Sequence, residues 1–191
     1  MSLWDSIKNL FKKNKKQHKK QINNKSDNEK ILDDVNDLEG EKKELAEKAF
    51  KARVNGDYNK ALSYWQEFAD KFPENEPQAM ARRARIYILK NENNKGQEEL
   101  FAFFRWYCQR ESFNYNSRYF TIFISALQDL GYFCRDWPDS EQYLRNLAGD
   151  DVSLDKTKTM ARIKAGLDCL KEEGIWSEAL SQVRENLSAL N

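Results

Sequence analysis

Apolar side chains recur at intervals of three and four residues through almost all of residues 41–191. This spacing places them along one face of an α-helix. Glycine and proline occur only seven and three times, too rarely for the frequent turns of an all-β fold. With 40% hydrophobic residues, the chain has enough apolar mass for a core. The sequence therefore predicts an all-α protein.

Breaks in the apolar spacing divide this region into helices. Asn55-Gly56-Asp57 separates the first two, because Gly56 suits a left-handed C-cap and Asp57 can cap the next helix. Pro73 and Pro77 end the second helix and open the third, with Asn75 as a candidate cap. The further helices are predicted at about 78–90, 95–110, 117–130, 139–148, 156–173 and 176–189.

One motif occurs twice, which indicates internal repetition. Gly56-Asp-Tyr-Asn-Lys-Ala-Leu62 recurs as Gly174-Ile-Trp-Ser-Glu-Ala-Leu180, about three repeats of 39 residues further on. Glycine closes the turn of a helical hairpin, the aromatic ring covers the corner, and alanine lets the two helices approach closely. Gly96 and Gly131 lie where intermediate turns are expected, without the rest of the motif.

Residues 42–75 resemble the tetratricopeptide-repeat family. The matching positions are Leu45, Ala49, Gly56, Tyr58, Ala61, Trp65 and Pro73. Residues 77–110 match loosely at Ala84 and Tyr87, residues 160–191 match at the second copy of the motif, and residues 113–148 depart most. The resemblance implies a solenoid of about four helix pairs whose concave face binds a protein or peptide without catalysis. Another α-solenoid, or an irregular helical bundle with one such hairpin, fits the same pattern.

The net charge of +1 conceals an uneven distribution that suggests three parts. Residues 1–26 carry eight lysines and one aspartate, residues 27–47 are strongly acidic, and the remainder is neutral. Dense blocks of like charge are typical of tails or interaction segments. We therefore assign residues 1–22 to a basic amphipathic helix, 23–40 to a charged linker, and 41–191 to the helical-repeat domain. Within the linker, Ile31, Leu32, Val35 and Leu38 share a stripe that could pack on the first repeat.

The N-terminal helix is predicted to lie on an anionic membrane surface. Its apolar face comprises Leu3, Trp4, Ile7, Leu10 and Phe11, and the nearby lysines are Lys8, Lys12 and Lys13. Such a helix inserts its apolar face among lipid headgroups while the lysines meet phosphates. Docking on the protein's own helices or on a partner protein is the next interpretation. Nucleic-acid binding is less favoured, because only the tail is basic.

Tyrosine and arginine side chains near the middle of the chain are the candidate partner-binding residues. Fourteen of the 24 aromatic residues lie between 101 and 143, and most are expected in the core. Residue types that anchor interfaces alternate at one helix junction, namely Tyr107, Arg110, Tyr115, Arg118 and Tyr119. Arg82 and Arg85 share a face of the third helix and could clamp a carboxylate. A solvated surface paired to Glu76 or Glu92 is the alternative for these two arginines.

Few residues in this chain suit catalysis or metal binding. His18 is the only histidine, which excludes Ser-His-Asp and Cys-His catalysis and most zinc sites. The acidic stretches lack the ligand spacing of a calcium loop. The three cysteines (Cys108, Cys134 and Cys169) have bulky apolar neighbours and are expected in the core, in a reducing compartment. No cofactor and no metal are expected.

These features predict a non-catalytic scaffold or adaptor. It would bind a protein or peptide through its repeats, and it would be cytoplasmic and attached peripherally to a membrane through its N-terminal helix. A soluble regulator or immunity-type inhibitor, whose N-terminal helix docks on a target protein, is the first alternative. A nucleic-acid-associated factor is the second. The sequence leaves the oligomeric state and the identity of the partner open.

Overall fold

The computed structural model describes residues 38–109, 118–149 and 152–188, and throughout these ranges the regular structure is helical, without strands. The all-α prediction is therefore confirmed. In chain order the α-helices are α1 (Gly40–Val54), α2 (Tyr58–Lys71), α3 (Glu76–Leu89), α4 (Asn93–Cys108), α5 (Arg118–Phe133), α6 (Ser140–Ala148), α7 (Lys156–Glu172) and α8 (Glu178–Ser188), and a 3-10 turn (Pro73–Asn75) precedes α3. The predicted N-terminal helix, 1–22, and most of the linker lie outside the described residues. Leu38, the last apolar position of the linker, is buried against the core.

The first four helices form two successive hairpins. Helix α1 packs along α2, and α3 packs along α4, because each pair is joined by a connection of a few residues. A residue with left-handed backbone conformation makes each turn tight. Gly56, with φ 78°, follows α1 in the first hairpin, and Asn91, with φ 58°, lies between α3 and α4 in the second. Helices α2 and α3 also pack together, so the two hairpins are stacked.

Two glycines do not form the turns expected of them, which lie a few residues away. Gly96 and Gly131 both lie inside helices and are buried. A Cβ on Gly96 would lie 3.0 Å from Cζ of Phe133 and 3.2 Å from the carbonyl oxygen of Ala84. These glycines therefore serve close helix packing, because they have no side chain, and they do not form a left-handed turn.

The expected caps also differ from those observed. Neither Asp57 nor Asn75 makes a side-chain capping bond, and the Asn75 side chain is buried instead. Asp155 does cap α7, since its Oδ1 accepts a hydrogen bond from the backbone N–H of Lys158 at 2.9 Å.

The second half of the chain does not continue the hairpin series. Helix α5 makes its most extensive contact with α7, while α6 packs against α3. At the crossing of α5 and α7, a Cβ on Gly131 would overlap the carbonyl oxygen of Arg162, and a Cβ on Gly166 that of Leu127. The two helices thus touch backbone to backbone. The helices expected at 117–130 and 139–148 therefore do not pack along each other as the earlier pairs do, because α5 packs mainly along α7.

Two large apolar clusters hold these helices together. One joins α1, α2 and α3 and is rich in alanine around Trp65 and Phe68. The other joins α3, α4, α5, α7 and α8 around Phe103, Phe104 and Phe123, as expected for most of the aromatic residues in this region. Burial of each such ring contributes on the order of 2 kcal/mol to stability.

Candidate partner-binding surface and the adjoining polar cluster

Helix α4 presents aromatic side chains that the core only partly covers. Tyr107 is half-buried, with its ring centroid 4.7 Å from that of Phe123, and Trp106 lies 6.1 Å from Tyr107. Arg105 is exposed and stacks over Phe101 at 5.9 Å. We call this set, Phe101, Arg105, Trp106 and Tyr107, the α4 surface. Its three rings are half-buried, and those of Phe101 and Tyr107 pack against the core.

The remaining predicted residues of this region fall into two groups. Arg110 and Tyr115 lie outside the described residues. Arg118 and Tyr119 begin α5, although their side chains also lie outside the described part of the chain. Tyr107 is thus the one residue of the predicted junction whose side chain the structure describes.

Arg85 holds a position different from the one expected. Its side chain is only 16% exposed, and its Nε donates to Oδ2 of Asp129 at 2.6 Å. The expected pairing with Glu76 or Glu92 is therefore wrong for Arg85. Its partner lies on α5, so the ion pair joins α3 to α5. Arg82, one turn before it on the same helix, is partly exposed.

The glutamates expected to pair with those arginines have other partners. Glu76 accepts a hydrogen bond from Arg83 at 2.9 Å, and Arg83 also bonds Glu99 on α4 through its Nε at 2.7 Å. Burial would lower the pKa of Arg83, but its bonds to Glu99 and Glu76 outweigh it and raise that pKa. Glu92 pairs with Lys90 and Lys95. Arg83 therefore connects α3 to α4.

Asp129 is the centre of a buried polar cluster. Its carboxylate is 1% exposed and accepts the hydroxyl of Tyr143 at 2.5 Å as well as Arg85. Burial first, and then the charge of Asp129, raises the pKa of Tyr143 far above its ordinary value. Nearby, Arg53 on α1 donates to the carbonyl oxygen of Leu147 at the end of α6. The cluster thus joins α1, α3, α5 and α6.

Positive charge is concentrated beside this cluster. Burial lowers the pKa of Arg53, and the neighbouring charges of Arg85 and Arg82 lower it further. Asp129 acts in the opposite direction. The predicted pair Arg82 and Arg85 therefore lies on one face close to Arg53, although Arg85 is paired with a carboxylate of its own chain.

A second feature is a column of alternating cations and rings, which we call the arginine–aromatic stack. Arg135 lies 4.0 Å from the centroid of Trp137, and Arg162 lies 4.9 Å from the same ring. Arg162 also lies 4.4 Å from the ring of Tyr143, which stacks on Tyr132 at 5.2 Å. Each cation faces the negative face of a ring, an interaction worth up to about 2 kcal/mol when desolvated.

The fully buried Arg162 has one carboxylate partner. Its Nη2 donates to Oδ1 of Asp139 at 2.5 Å, and the Asp139 side chain is 6% exposed. Burial alone would raise the pKa of Asp139, but the hydrogen bond and charge of Arg162, together with Lys158, lower it. Nε and Nη1 of Arg162 have no hydrogen-bond partner, so the two rings provide the rest of its surroundings.

The sequence does contain signals for these polar groups. Arg162 lies on the apolar stripe of α7, one turn before Gly166, and Asp129 lies between Leu127 and Leu130 on the most apolar helix. A charged residue on a buried stripe requires an internal partner. That signal identifies the residues but not their partners, which come from helices distant in sequence.

Comparisons with protein-family models, with curated proteins and with solved structures find no match for this chain. Among the described residues, no group of three or more histidine, cysteine, aspartate or glutamate side chains is arranged to hold a metal ion. No helix in the same ranges is both long and apolar enough to cross a bilayer.

Proposed function

We propose that this protein is a non-catalytic scaffold or adaptor that binds a protein or peptide through the α4 surface. The proposal includes the helical-repeat character implied by the resemblance to tetratricopeptide repeats. The two stacked hairpins, α1–α2 and α3–α4, support that character, because stacking of helix pairs generates extended binding surfaces.

The partly exposed rings of α4 are the observation that carries the proposal. Tryptophan, tyrosine and arginine contribute most of the binding energy in protein interfaces. Arg105, Trp106 and Tyr107 supply these three residue types in succession along a helix that Phe103 and Phe104 anchor in the core. A rigid ring loses little conformational entropy on binding, so such a surface is prepared for contact.

Substitution on the α4 surface tests this proposal. Full-length protein is used to capture partners from a cell lysate, with bound proteins quantified by mass spectrometry, and the affinity of each purified partner is then measured. Trp106→Ala is expected to weaken binding about tenfold or more. Tyr64→Ala is the matched control, because Tyr64 is a half-buried aromatic residue of α2 beside the other apolar cluster.

Thermal unfolding of both variants separates binding from folding. Equal loss of binding in Trp106→Ala and Tyr64→Ala, or unchanged binding in Trp106→Ala, would contradict the proposal. Arg105→Ala provides a second variant, since Arg105 is exposed and its removal leaves the core intact.

The proposal also places the protein in the cytoplasm, attached to a membrane surface by its N-terminal segment. Leu3, Trp4 and the three neighbouring apolar residues would enter the headgroup layer beside the lysines. Co-sedimentation with vesicles rich in phosphatidylserine is expected for the full chain and not after deletion of residues 1–20. Equal sedimentation of the two proteins would contradict membrane attachment. Partner binding that requires the deleted segment, without vesicle binding, would instead favour the soluble regulator.

A further inference from the structure

Two cysteines line one groove at the surface where α5 and α7 diverge. Cys134 follows the last residue of α5 and is exposed, whereas Cys169 lies on α7 and is half-buried. The groove has a volume of about 370 Å³, and its charged lining comprises Arg135, Lys164, Asp168 and Glu172. Small molecules in solvent can therefore reach both thiols.

The crossing of the two helices explains why the thiols are close. Each cysteine lies three residues, about one helical turn, after a glycine of the backbone contact: Cys134 after Gly131, and Cys169 after Gly166. Helices normally pack with axes about 8–10 Å apart, and a contact between glycines is closer than that. Both thiols consequently face the same groove and lie close enough for each to shift the pKa of the other.

The surroundings give the two thiols different acidities. The hydrogen bond from Cys134 is the main cause of a lowered pKa at Cys169, and Gln97 acts in the same direction, while burial and Glu173 oppose it. The pKa of Cys134 is raised, first by this hydrogen bond and then by burial. Cys134 has one proton, which it can donate to the carbonyl oxygen of Leu130, 3.2 Å away, or to Cys169. Cys169 thus ionises first.

We propose that Cys134 and Cys169 form a redox-active dithiol, which a low-molecular-weight disulfide such as oxidised glutathione converts into an intramolecular disulfide joining α5 to α7. The site is independent of the α4 surface, and it revises the expectation that all the cysteines lie in the core. A reversible bridge of this kind is compatible with a reducing compartment, where its state follows the ratio of small disulfide to small thiol.

The reaction proceeds in two exchanges. The Cys169 thiolate attacks one sulfur of the small disulfide, the S–S bond breaks, and one small thiolate leaves and takes up a proton. Cys134 then loses its proton and attacks Cys169 Sγ in the mixed disulfide, which releases the second small thiol. Two protein thiols are oxidised and one small disulfide is reduced to two thiols, so atoms and electrons balance.

Oxidised glutathione is the probe that tests this dithiol. The reduced full-length chain is incubated with it without oxygen, quenched with acid, and analysed by intact mass and by mapping of disulfide-linked peptides. We expect the mass of the reduced chain less two hydrogen atoms, with the peptides of Cys134 and Cys169 joined. Cys108→Ser should behave identically, because Cys108 does not line the groove.

Single substitutions distinguish the two roles. Cys134→Ser should accumulate glutathione on Cys169, because the thiol that resolves the mixed disulfide is absent. Cys169→Ser should react at least about tenfold more slowly than the wild type. A stable glutathione adduct on the wild type, a disulfide between two copies of the chain, or equally fast reaction of Cys169→Ser would overturn the proposal.

The thermal midpoint supplies a second measurement that does not depend on reaction rates. Oxidation should raise the Tm of the wild type and of Cys108→Ser, because a bridge between α5 and α7 restricts the unfolded chain. Neither Cys134→Ser nor Cys169→Ser should show this rise. An unchanged Tm after mapped oxidation would show that the bridge strains the helix crossing, and it would contradict a site prepared for disulfide formation.

Discussion

The two halves of this protein use similar helices and assemble them differently. In residues 40–108, neighbours in sequence are neighbours in space, and small alanines such as Ala46 and Ala49 allow the helices to pack. In residues 118–188, α5 packs most extensively against α7, which is not its neighbour in sequence, and the contact depends on two glycines. The charges of Arg162 and Asp139 are buried beside this contact.

This difference shows that helical periodicity determines the helices but not their pairing. Short connections force a hairpin in the first half, whereas the longer connections around α6 leave several arrangements open. Backbone contact through Gly131 and Gly166, together with the partners required by buried charges, selects one of them. Substitutions that remove these selecting features should therefore affect the second half much more than the first.

The largest effect is expected from Asp139→Asn. It leaves the guanidinium of Arg162 buried without a counter-charge, which costs about 3–5 kcal/mol of unfolding free energy. Urea unfolding followed by circular dichroism measures the loss. Glu44→Gln is the control from the first half, because it disrupts an exposed pair with Lys48 and should leave the free energy unchanged within error. Equal effects of the two substitutions would remove the distinction between the halves.

Gly131→Ala should have the next largest effect, about 3 kcal/mol. Its Cβ would overlap a backbone carbonyl that cannot move without separating α5 from α7. Gly96→Ala, at a helix contact between α3 and α4, should cost less than about 1 kcal/mol. The Phe133 ring and the Ala84 carbonyl oxygen would each have to move by only a few tenths of an ångström, and alanine favours a helix. The same urea experiment compares them. If Gly131→Ala is as stable as the wild type, α5 and α7 do not touch through their backbones.

Acid should weaken the second half through the same ion pair. The pKa of Asp139 is lowered from its ordinary value of 3.8, so its contribution is fully present above that value and is lost as pH falls through the lower, folded-state pKa. The unfolding free energy lost on acidification should be smaller than that lost by Asp139→Asn at neutral pH. Acidification removes only the part of the interaction that lowers the pKa of Asp139. Unfolding free energies measured from pH 6 down to 3 should fall more steeply for the wild type than for Asp139→Asn. Parallel curves would contradict this assignment.

Helix capping should give the smallest difference. Asp155→Ala removes the bond to the backbone N–H of Lys158 and should cost about 1 kcal/mol. Asp57→Ala, at the corresponding position before α2, removes no such bond and should cost less than half as much. Thermal unfolding is sensitive enough to compare the two variants. A larger loss for Asp57→Ala would show that this residue caps α2 in solution.

Local features of the fold could be predicted from the sequence. The helix predicted at 156–173 is found at Lys156–Glu172, and the left-handed glycines at 56 and 174 occupy the expected turns. Both features depend on residues a few positions apart, where helical period and backbone freedom act directly. The prediction that Gly96 and Gly131 lie in turns was wrong, because in the sequence a glycine that permits close helix packing cannot be distinguished from one that ends a helix.

The candidate sites depended on contacts that no local pattern specifies. Arg85 was expected to pair either with a partner's carboxylate or with Glu76 or Glu92, and its ion pair is instead with Asp129 on α5. Cys134 was expected in the core because of its apolar neighbours, but it is exposed because α5 ends at Phe133. Tyr107 was chosen for its residue type, and its half-exposed position is compatible with that choice, although partner binding stays a prediction.

The order of synthesis gives the crossing of α5 and α7 a consequence for folding. Helices α1 to α4 can pair as soon as each hairpin leaves the ribosome, because their contacts are local. Helix α5, the most apolar of the eight described helices, must wait for about 35 further residues before the glycine of α7 reaches it. During that interval its apolar face is open to chaperones or to a neighbouring nascent chain, so the protein is most vulnerable to aggregation just before its last two helices are made.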